Sequence, residues 1–410
     1  MFFLVVIIVL SVMYGYVGWR LIVPAAFSFS MNLLLWSLLV LLFILPFAHA
    51  ILRSRGVSGI WMDIIAWIAY LGFGFFTLAF AVIFARDIVY LIITGMLKLI
   101  RLGGYQYKPE SIASNLIDPQ RRQALTKILN LGALGLTGIM MGYGLYQARR
   151  KPAIVETDVP LKNLPKSLDG FRIVQITDIH TSSTIRRGFV QTCVDIVNGL
   201  KPDLVILTGD LVDGSVRQLG NDVAPLADLK PPHGKYFITG NHEYYSGVKQ
   251  WLEETARLGF INLLNEHRLI EKDGGRFVLA GVTDLAGRQF SQNHISDPFK
   301  AIAGAPEDVP KILLAHQPKS IAAAAKAGFD YVISGHTHGG QYFPYHFLVA
   351  LDQPYLSGLH QYGNTRIYVS KGTGYWGPQL RIGARSEITV HRLISAQPKT
   401  PQNRLPARNI

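Results

Sequence analysis

Eight side chains in this 410-residue sequence are of types that bind cations or phosphate, and they recur at like places in the chain. Asp178 and His180 close the apolar run Phe171–Thr177, and Asp210 follows Leu204–Thr208. Asn241 and His242 follow Tyr236–Thr239, His316 follows Ile312–Ala315, and His336 and His338 follow Tyr331–Ser334. Each run has the length and branching of a buried strand. Polar residues just past such strands stand where open α/β sheets hold their ligands, which predicts one sheet rim carrying all eight. In an extended segment Asp-x-His turns both side chains to one face, so a carboxylate and an imidazole can grip one ion, and His336-x-His338 repeats the geometry. Nitrogen and oxygen donors without a thiolate favour Mn, Fe or Zn over Ca or Mg. Asp178, His180, Asp210, Asn241, His316, His336 and His338 are too many ligands for one ion and suit two ions that share a carboxylate. Asp210, central and framed by glycine, is the natural bridge. Two divalent ions about 3.5–4 Å apart can clamp a phosphoryl group, acidify a bridging water and stabilise both the attacking and the leaving oxygen.

The elements that must position these residues alternate from Ala153 onward. Strand-like runs are separated by helical stretches at Arg187–Leu200, Val248–Leu258 and Pro318–Lys326. The run Phe277–Val282 adds a sixth strand, and Arg366–Ser370 and Glu387–Leu393 end the fold. The pattern predicts an α/β domain with a central sheet layer or a two-sheet sandwich, helices outside. Cys193, the single cysteine, falls in an apolar helical pattern and reads as a small core residue. The tail from Gln397 is polar with three prolines and is expected to be disordered.

The residues before Lys151 are of another kind. Hydrophobic residues make up 49% of the chain and charged ones 16%, and the apolar excess is concentrated there. Phe2–Val23, Asn32–Leu52, Ile60–Phe84 and Leu125–Tyr146 are each long enough to span a bilayer. A cleavable signal peptide competes for the first, but a basic n-region and a small-residue cleavage site are both missing. Ile88–Leu102, with Lys98 and Arg101, reads as an interfacial amphipathic helix. Arg86, Lys98, Arg101, Lys108, Arg121, Arg122 and Lys127 lie on one side of the membrane in this reading, and Arg53, Arg55, Arg149, Arg150 and Lys151 on the other. The positive-inside rule makes the larger group cytoplasmic and the part after Lys151 extracytoplasmic, so the expectation is an integral protein of the cell membrane. Arg121-Arg122 before a glycine-rich span partly resembles a twin-arginine export signal and equally suits an ordinary basic flank. The net charge of +13 is compatible with nucleic acid, an anionic membrane or an anionic substrate. Basic residues do not interleave with aromatics along any face, so nucleic acid is not an expected partner.

Five blocks carry a family resemblance: DIH at Asp178–His180, GDLVD at Gly209–Asp213, GNHE at Gly240–Glu243, the lone His316, and GHTHGGQ at Gly335–Gln341. Together and in this order they resemble the calcineurin-like metallophosphoesterases. The membrane spans and GNTRIYVSKGTGYWG at Gly363–Gly377 are most similar to the transmembrane proteins with a metallophosphoesterase domain. Composition divides the chain into N-terminal transmembrane helices (1–150), a globular domain (151–396) and a tail (397–410), and the resemblance implies that the domain is a two-sheet αββα metallophosphoesterase sandwich. It assigns Asp178, His180, Asp210 and His338 to one metal and Asp210, Asn241, His316 and His336 to the other. His242 would contact the phosphate and protonate the leaving oxygen. Taken singly, each residue has a plainer explanation: His316 a satisfied core histidine, Asn241 a turn former, and His336 and His338 a surface turn. Asp213 and Glu243 are expected to support the ligands rather than to be ligands.

These residues predict a membrane-anchored phosphoesterase that attacks a phosphoester or pyrophosphate with a metal-bridging hydroxide. Its partners are the lipid bilayer and a phosphorylated, lipid-linked substrate. A non-catalytic metal-binding sensor or scaffold is the alternative, and it leaves His242 without a reason. A transporter is weaker still, because Asp63 is the only acidic residue clearly inside a span and lies near its end. Phe343, Phe347, Leu348 and Leu351, directly after GHTHGGQ, fit either a core element under the site or an apolar lip at the bilayer surface.

Overall fold

The computed structural model describes residues 2–102 and 119–395, so the tail expected to be disordered lies outside the described residues. Four helices come first: α1 (Phe2–Ile22), α2 (Phe29–Ser54), α3 (Ile60–Leu102) and α4 (Pro119–Arg149). All four are long and apolar enough to cross a membrane. The 43 residues of α3 extend about 64 Å at 1.5 Å per residue, roughly twice a bilayer's hydrocarbon core. This helix absorbs Ile88–Leu102, which the sequence suggested was a separate interfacial helix. The joining residues, Ala85-Arg86-Asp87, include no glycine or proline to break it. Their charges are met sideways instead: Asp87 accepts from Arg20 at 2.6 Å and from Tyr16, and Arg86 donates to Asn130 at 2.6 Å. Three helices are thereby pinned at one level.

The remainder is built from two six-stranded sheets. In chain order it runs β1 (Ala153–Leu161), β2 (Arg172–Ile176), α5 (Arg187–Gly199), β3 (Leu204–Leu207), α6 (Val216–Val223) and β4 (Lys235–Phe237). Then follow α7 (Asn241–Ser246), α8 (Val248–Arg257), β5 (Ile261–Asn262), β6 (Glu266–Lys272), β7 (Gly275–Gly281), α9 (Pro298–Ile302) and β8 (Lys311–Leu314). The last elements are α10 (Ile321–Lys326), β9 (Tyr331–Ser334), α11 (Tyr345–Asp352), β10 (Gly358–Tyr362), β11 (Thr365–Val369) and β12 (Glu387–Ser395). One sheet has the order β1-β12-β2-β3-β4-β5 and the other β10-β11-β9-β8-β7-β6. Within them β2, β3, β4 and β5 run parallel, as do β7, β8, β9 and β11, so their C-terminal ends open on a common edge.

Period-two alternation sends each central strand into two cores at once. Leu204 and Ile206 of β3 meet Phe277, Leu279, Ile312 and Ile333 between the sheets. Val205 and Leu207 of the same strand face outward, under Val190, Cys193, Val194 and Val197 of α5, with Cys193 the small core residue expected. A matching outer layer covers the second sheet, where Ala301 of α9 and Ala324 of α10 pack on Val278, Leu313 and Val332.

Helices and sandwich are packed together rather than merely tethered. Leu380 is fully buried with Leu78 and Tyr342. It occupies space that only glycine leaves open: a Cβ at Gly74 would lie 2.6 Å from Leu380 Cδ1, and one at Gly144 3.1 Å from Leu380 Cδ2. The Arg381 N–H donates to the Gly144 carbonyl at 3.0 Å. Asp63 of α3 accepts from Arg186 at 2.5 Å, so the acidic residue considered for a transport pathway is an anchor for the sandwich.

Candidate metal centre

The eight residues converge, but from two sheets rather than the one rim expected. The loops after β2 and β3 supply Asp178, His180 and Asp210, the start of α7 after β4 supplies Asn241 and His242, and the loops after β8 and β9 supply His316, His336 and His338. The extended backbone assumed for Asp-x-His is not what brings them together. Asp178 (φ 52°), His180 (51°), Asp210 (52°), His336 (70°) and His338 (51°) are all left-handed. Asp and His enter that region more readily than most residues, and such clusters of strain occur where the surroundings over-determine a site. Two glycines allow the close approach. A Cβ at Gly240 would lie 2.1 Å from Asp210 Oδ1, and one at Gly335 2.2 Å from Asp178 Oδ2.

Asp178, His180 and His338 each offer a ligand atom within 4.8 Å of the others, and so do Asp210, His316 and His336. Asp210 also belongs to a group with His180 and His242, so it stands between the two sets. Its Oδ2 lies 3.1 Å from His316 Nε2 and 3.7 Å from His180 Nε2. Hydrogen bonds fix which nitrogen faces inward. His316 donates from Nδ1 to the Thr208 carbonyl at 2.8 Å, which turns Nε2 toward Asp210. His180 donates from Nδ1 to Asp213 at 3.0 Å, with the same result. Arg381, fully buried, donates to His338 Nδ1 at 3.0 Å, so the neutral ring keeps its proton on Nε2, 3.0 Å from His180 Nε2. A cation held there would need the other neutral tautomer of His338, with its proton on Nδ1 and Nε2 free, while Arg381 stays anchored on the His338, Lys371 and Ala384 carbonyls. Asn241 Oδ1 is buried without a hydrogen-bond partner among the described residues, which suits an amide oxygen kept for a cation. The donor set therefore fits two divalent ions.

His242 and the acids around it form the second part of the site. Its N–H donates to Asp210 Oδ1 at 2.9 Å, and its Nδ1 lies 2.6 Å from Asp213 Oδ1. Burial lowers the His242 pKa, but the charges of Asp210 and Asp213 outweigh it and hold the ring at about 9. Burial alone would raise Asp213, yet His180 and His242 keep it below the usual carboxylate range. Glu243 accepts from the backbone N–H groups of Gly240 (2.6 Å), Leu211 (2.8 Å) and Asp210 (3.0 Å), tying the β3 loop to the β4 loop. Burial first, then the Asp210 charge, push Glu243 up to about 7. Asp213 thus holds the rings of His180 and His242, and Glu243 holds the backbone around Asp210. Arg381 was missed: it lies outside every block, and a lone arginine in a loop carries no signal.

Two parallel-rich sheets that bring one carboxylate into two neighbouring groups of candidate ligands form the kind of rim a dinuclear metal centre of the phosphoesterase class requires. A family model described as calcineurin-like phosphoesterase matches residues 171–340. The chain is 41% identical over 265 residues to the transmembrane protein with metallophosphoesterase domain of Danio rerio, covering 63% of this chain and 61% of that one. It is 40% identical over 294 residues to an uncharacterized metallophosphoesterase of Helicobacter pylori, covering 71% of this chain and 76% of that one. A metallophosphoesterase of Bacillus subtilis is 31% identical over 290 residues, 67% of this chain and 98% of its own length. The chain belongs to the calcineurin-like metallophosphoesterases.

Proposed function

We propose that this chain is a membrane-anchored, two-metal phosphoesterase acting on a lipid-linked phosphoester or pyrophosphate. The observation that carries the reading is the position of Asp210 between two ligand groups, with His242 fixed beside it. Asp178, His180, Asp210 and His338 would hold one ion and Asp210, Asn241, His316 and His336 the other, as Mn, Fe or Zn. When bound, such ions polarise a phosphoryl oxygen and acidify water. The chain's own residues do the rest. Asp213 accepts a hydrogen bond from the Nδ1–H of His242 and so directs Nε2–H outward, and with a pKa near 9 the ring is charged at neutral pH and can protonate a leaving oxygen.

Support for a lipid-linked substrate comes from the contact between the sandwich and a membrane helix. Tyr342 is buried against Leu78 of α3. The residues that follow form α11, which buries none of its side chains: Phe347 and Leu348 are 59% exposed and Leu351 86%. Of the two readings of this segment, the apolar lip is the one we adopt. Burying acyl chain there gains roughly 0.8 kcal/mol per methylene. A screen of the purified protein against lipid, nucleotide and sugar-nucleotide phosphates, with Mn, Fe and Zn each supplied, tests the function. Phe347→Ser with Leu348→Ser should raise KM for a lipid phosphate and spare a small soluble ester, and parallel loss on both refutes the lip. An extracytoplasmic catalytic domain follows from the basic flanks, and reporter fusions after Lys151 that are active only in the cytoplasm would refute it.

A further inference from the structure

A cavity of about 450 Å³ begins at His242 and runs between the sandwich and the membrane helices, with Ser183 and Asp213 on one wall and His49, Arg53 and Tyr70 on the other. Arg53 is the penultimate residue of α2. Its Nε donates to the Asp213 carbonyl at 3.1 Å and its Nη1 to Ser183 Oγ. Nη2 is buried and has no hydrogen-bond partner among the described residues. The guanidinium is held close to Gly214, where a Cβ would lie 2.7 Å from Nη2. His49, one turn earlier on the same helix face, is 3% exposed and neither ring nitrogen has a partner among the described residues. Its ring meets Tyr70 edge-on at 5.7 Å.

A buried cationic donor left unpaired is expensive, and so is a buried imidazole with both nitrogens idle. Here the two stand one helical turn apart and line the same cavity, which begins at the residue placed to protonate a leaving group. Arg53 is fixed through the backbone of Asp213, whose carboxylate holds His242, so the idle guanidinium nitrogen and the proton donor are set in one frame. We propose that Arg53 Nη2 and His49 form an anion subsite for the leaving side of the substrate. The subsite takes a second phosphate, making a diphosphate ester the class that fills both it and the metal centre. The inference rests on the phosphoesterase reading and adds a recognition element drawn from a membrane helix. A bilayer lipid and a soluble metabolite can both carry the diphosphate.

The test uses the full chain in detergent micelles, loaded with manganese, and measures binding by titration calorimetry. The probes are orthophosphate, methylenediphosphonate and the dodecyl monoester of methylenediphosphonate. Methylenediphosphonate should bind the wild type more tightly than orthophosphate. Arg53→Gln should reduce that preference about tenfold, the equivalent of about 1.4 kcal/mol, below what a hydrogen bond to a charged group usually contributes. His49→Phe leaves the Arg53 anchors in place and should reduce the preference about threefold, so it decides the matter if Arg53→Gln does not fold. Tighter binding of the dodecyl ester than of the soluble probe assigns the occupant to the bilayer, and equal binding assigns it to solution. Either result supports the subsite, provided the preference falls in the variants. An unchanged preference, or equal weakening of both anions, overturns it while leaving the phosphoesterase reading intact. A wild type that binds no orthophosphate overturns that reading and the subsite with it.

Discussion

Asp213→Asn keeps the volume of the side chain and removes its charge. In the wild type one oxygen, Oδ1, serves both His242 Nδ1 at 2.6 Å and His180 Nδ1 at 3.0 Å. A hydrogen bond to a charged group contributes about 1.5–3 kcal/mol, so losing the one to His242 corresponds to roughly 10- to 150-fold in rate. The direction follows from the charges: burial lowers the His242 pKa, and Asp210 and Asp213 together hold it at about 9. Without Asp213 the ring is less often protonated at pH 8, because Asp210 and Glu243 are then left to oppose the burial. The loss should appear where the leaving oxygen needs a proton. An alkyl phosphate should lose about 10- to 100-fold in kcat, while p-nitrophenyl phosphate, whose leaving oxygen is already a weak base, should lose less than about fivefold. The same substitution frees His180, and partners of metal-ligating histidines typically change metal affinity about 10- to 100-fold. The assay is therefore run at saturating manganese with bound metal measured alongside. Equal loss on both esters at full occupancy would refute the claim that Asp213 works through His242.

Two further outcomes follow from the same geometry. Asp210→Asn should lose activity and more bound metal than His242→Ala, which should keep its metal and lose turnover; equal metal loss in purified samples of both would show that the roles are misassigned. His391 is wholly buried in β12, paired with Tyr331 and Gln175, and burial pushes its pKa down to about 3. The unfolded chain takes up a proton below about 6.5 that the folded one refuses, so this stability is complete above that pH and is lost as pH falls toward 3, by about 2 kcal/mol between 6.5 and 5. His391→Gln should flatten the acid-side fall in unfolding temperature by about 4–8 °C, and parallel pH profiles for the two proteins would exclude the assignment.

The eight strands visible as apolar runs are the interior strands of both sheets, because only they are buried on two faces. The four that escaped notice, β1, β5, β6 and β10, are the four edges. An edge such as Glu266–Lys272 carries Glu, His, Arg and Lys, which protects it from further pairing and erases the pattern that a reader of sequence depends on. The candidate ligands were legible because glycine-framed blocks recur after interior strands; their left-handed backbone was not, since Asp and His enter that region only somewhat more often than other residues. Arg53 was read only as a flank for orientation, and His49 was passed over although an ionisable residue within an apolar span is itself a signal. Glycine in the last span suggested nothing specific, yet Gly144 is where Leu380 enters. Such close approaches depend on a partner more than 200 residues away and leave no local trace.

The seat of Leu380 between Gly74 and Gly144 determines what a truncated, soluble version of this protein would be. A chain begun at Ala153 keeps all of the ligands, both sheets and Arg381. It also turns Leu380 and Tyr342 out to solvent, removes Ala148 from the core under α5, and leaves the Arg381 N–H without the Gly144 carbonyl. Those exposed apolar groups favour self-association, so such a fragment needs detergent although it contains no span. The cavity beside His242 would lose the wall formed by His49, Arg53 and Tyr70. Kinetic constants from the fragment would describe the metal chemistry alone, and a substrate ranking made with it would not carry over to the intact protein.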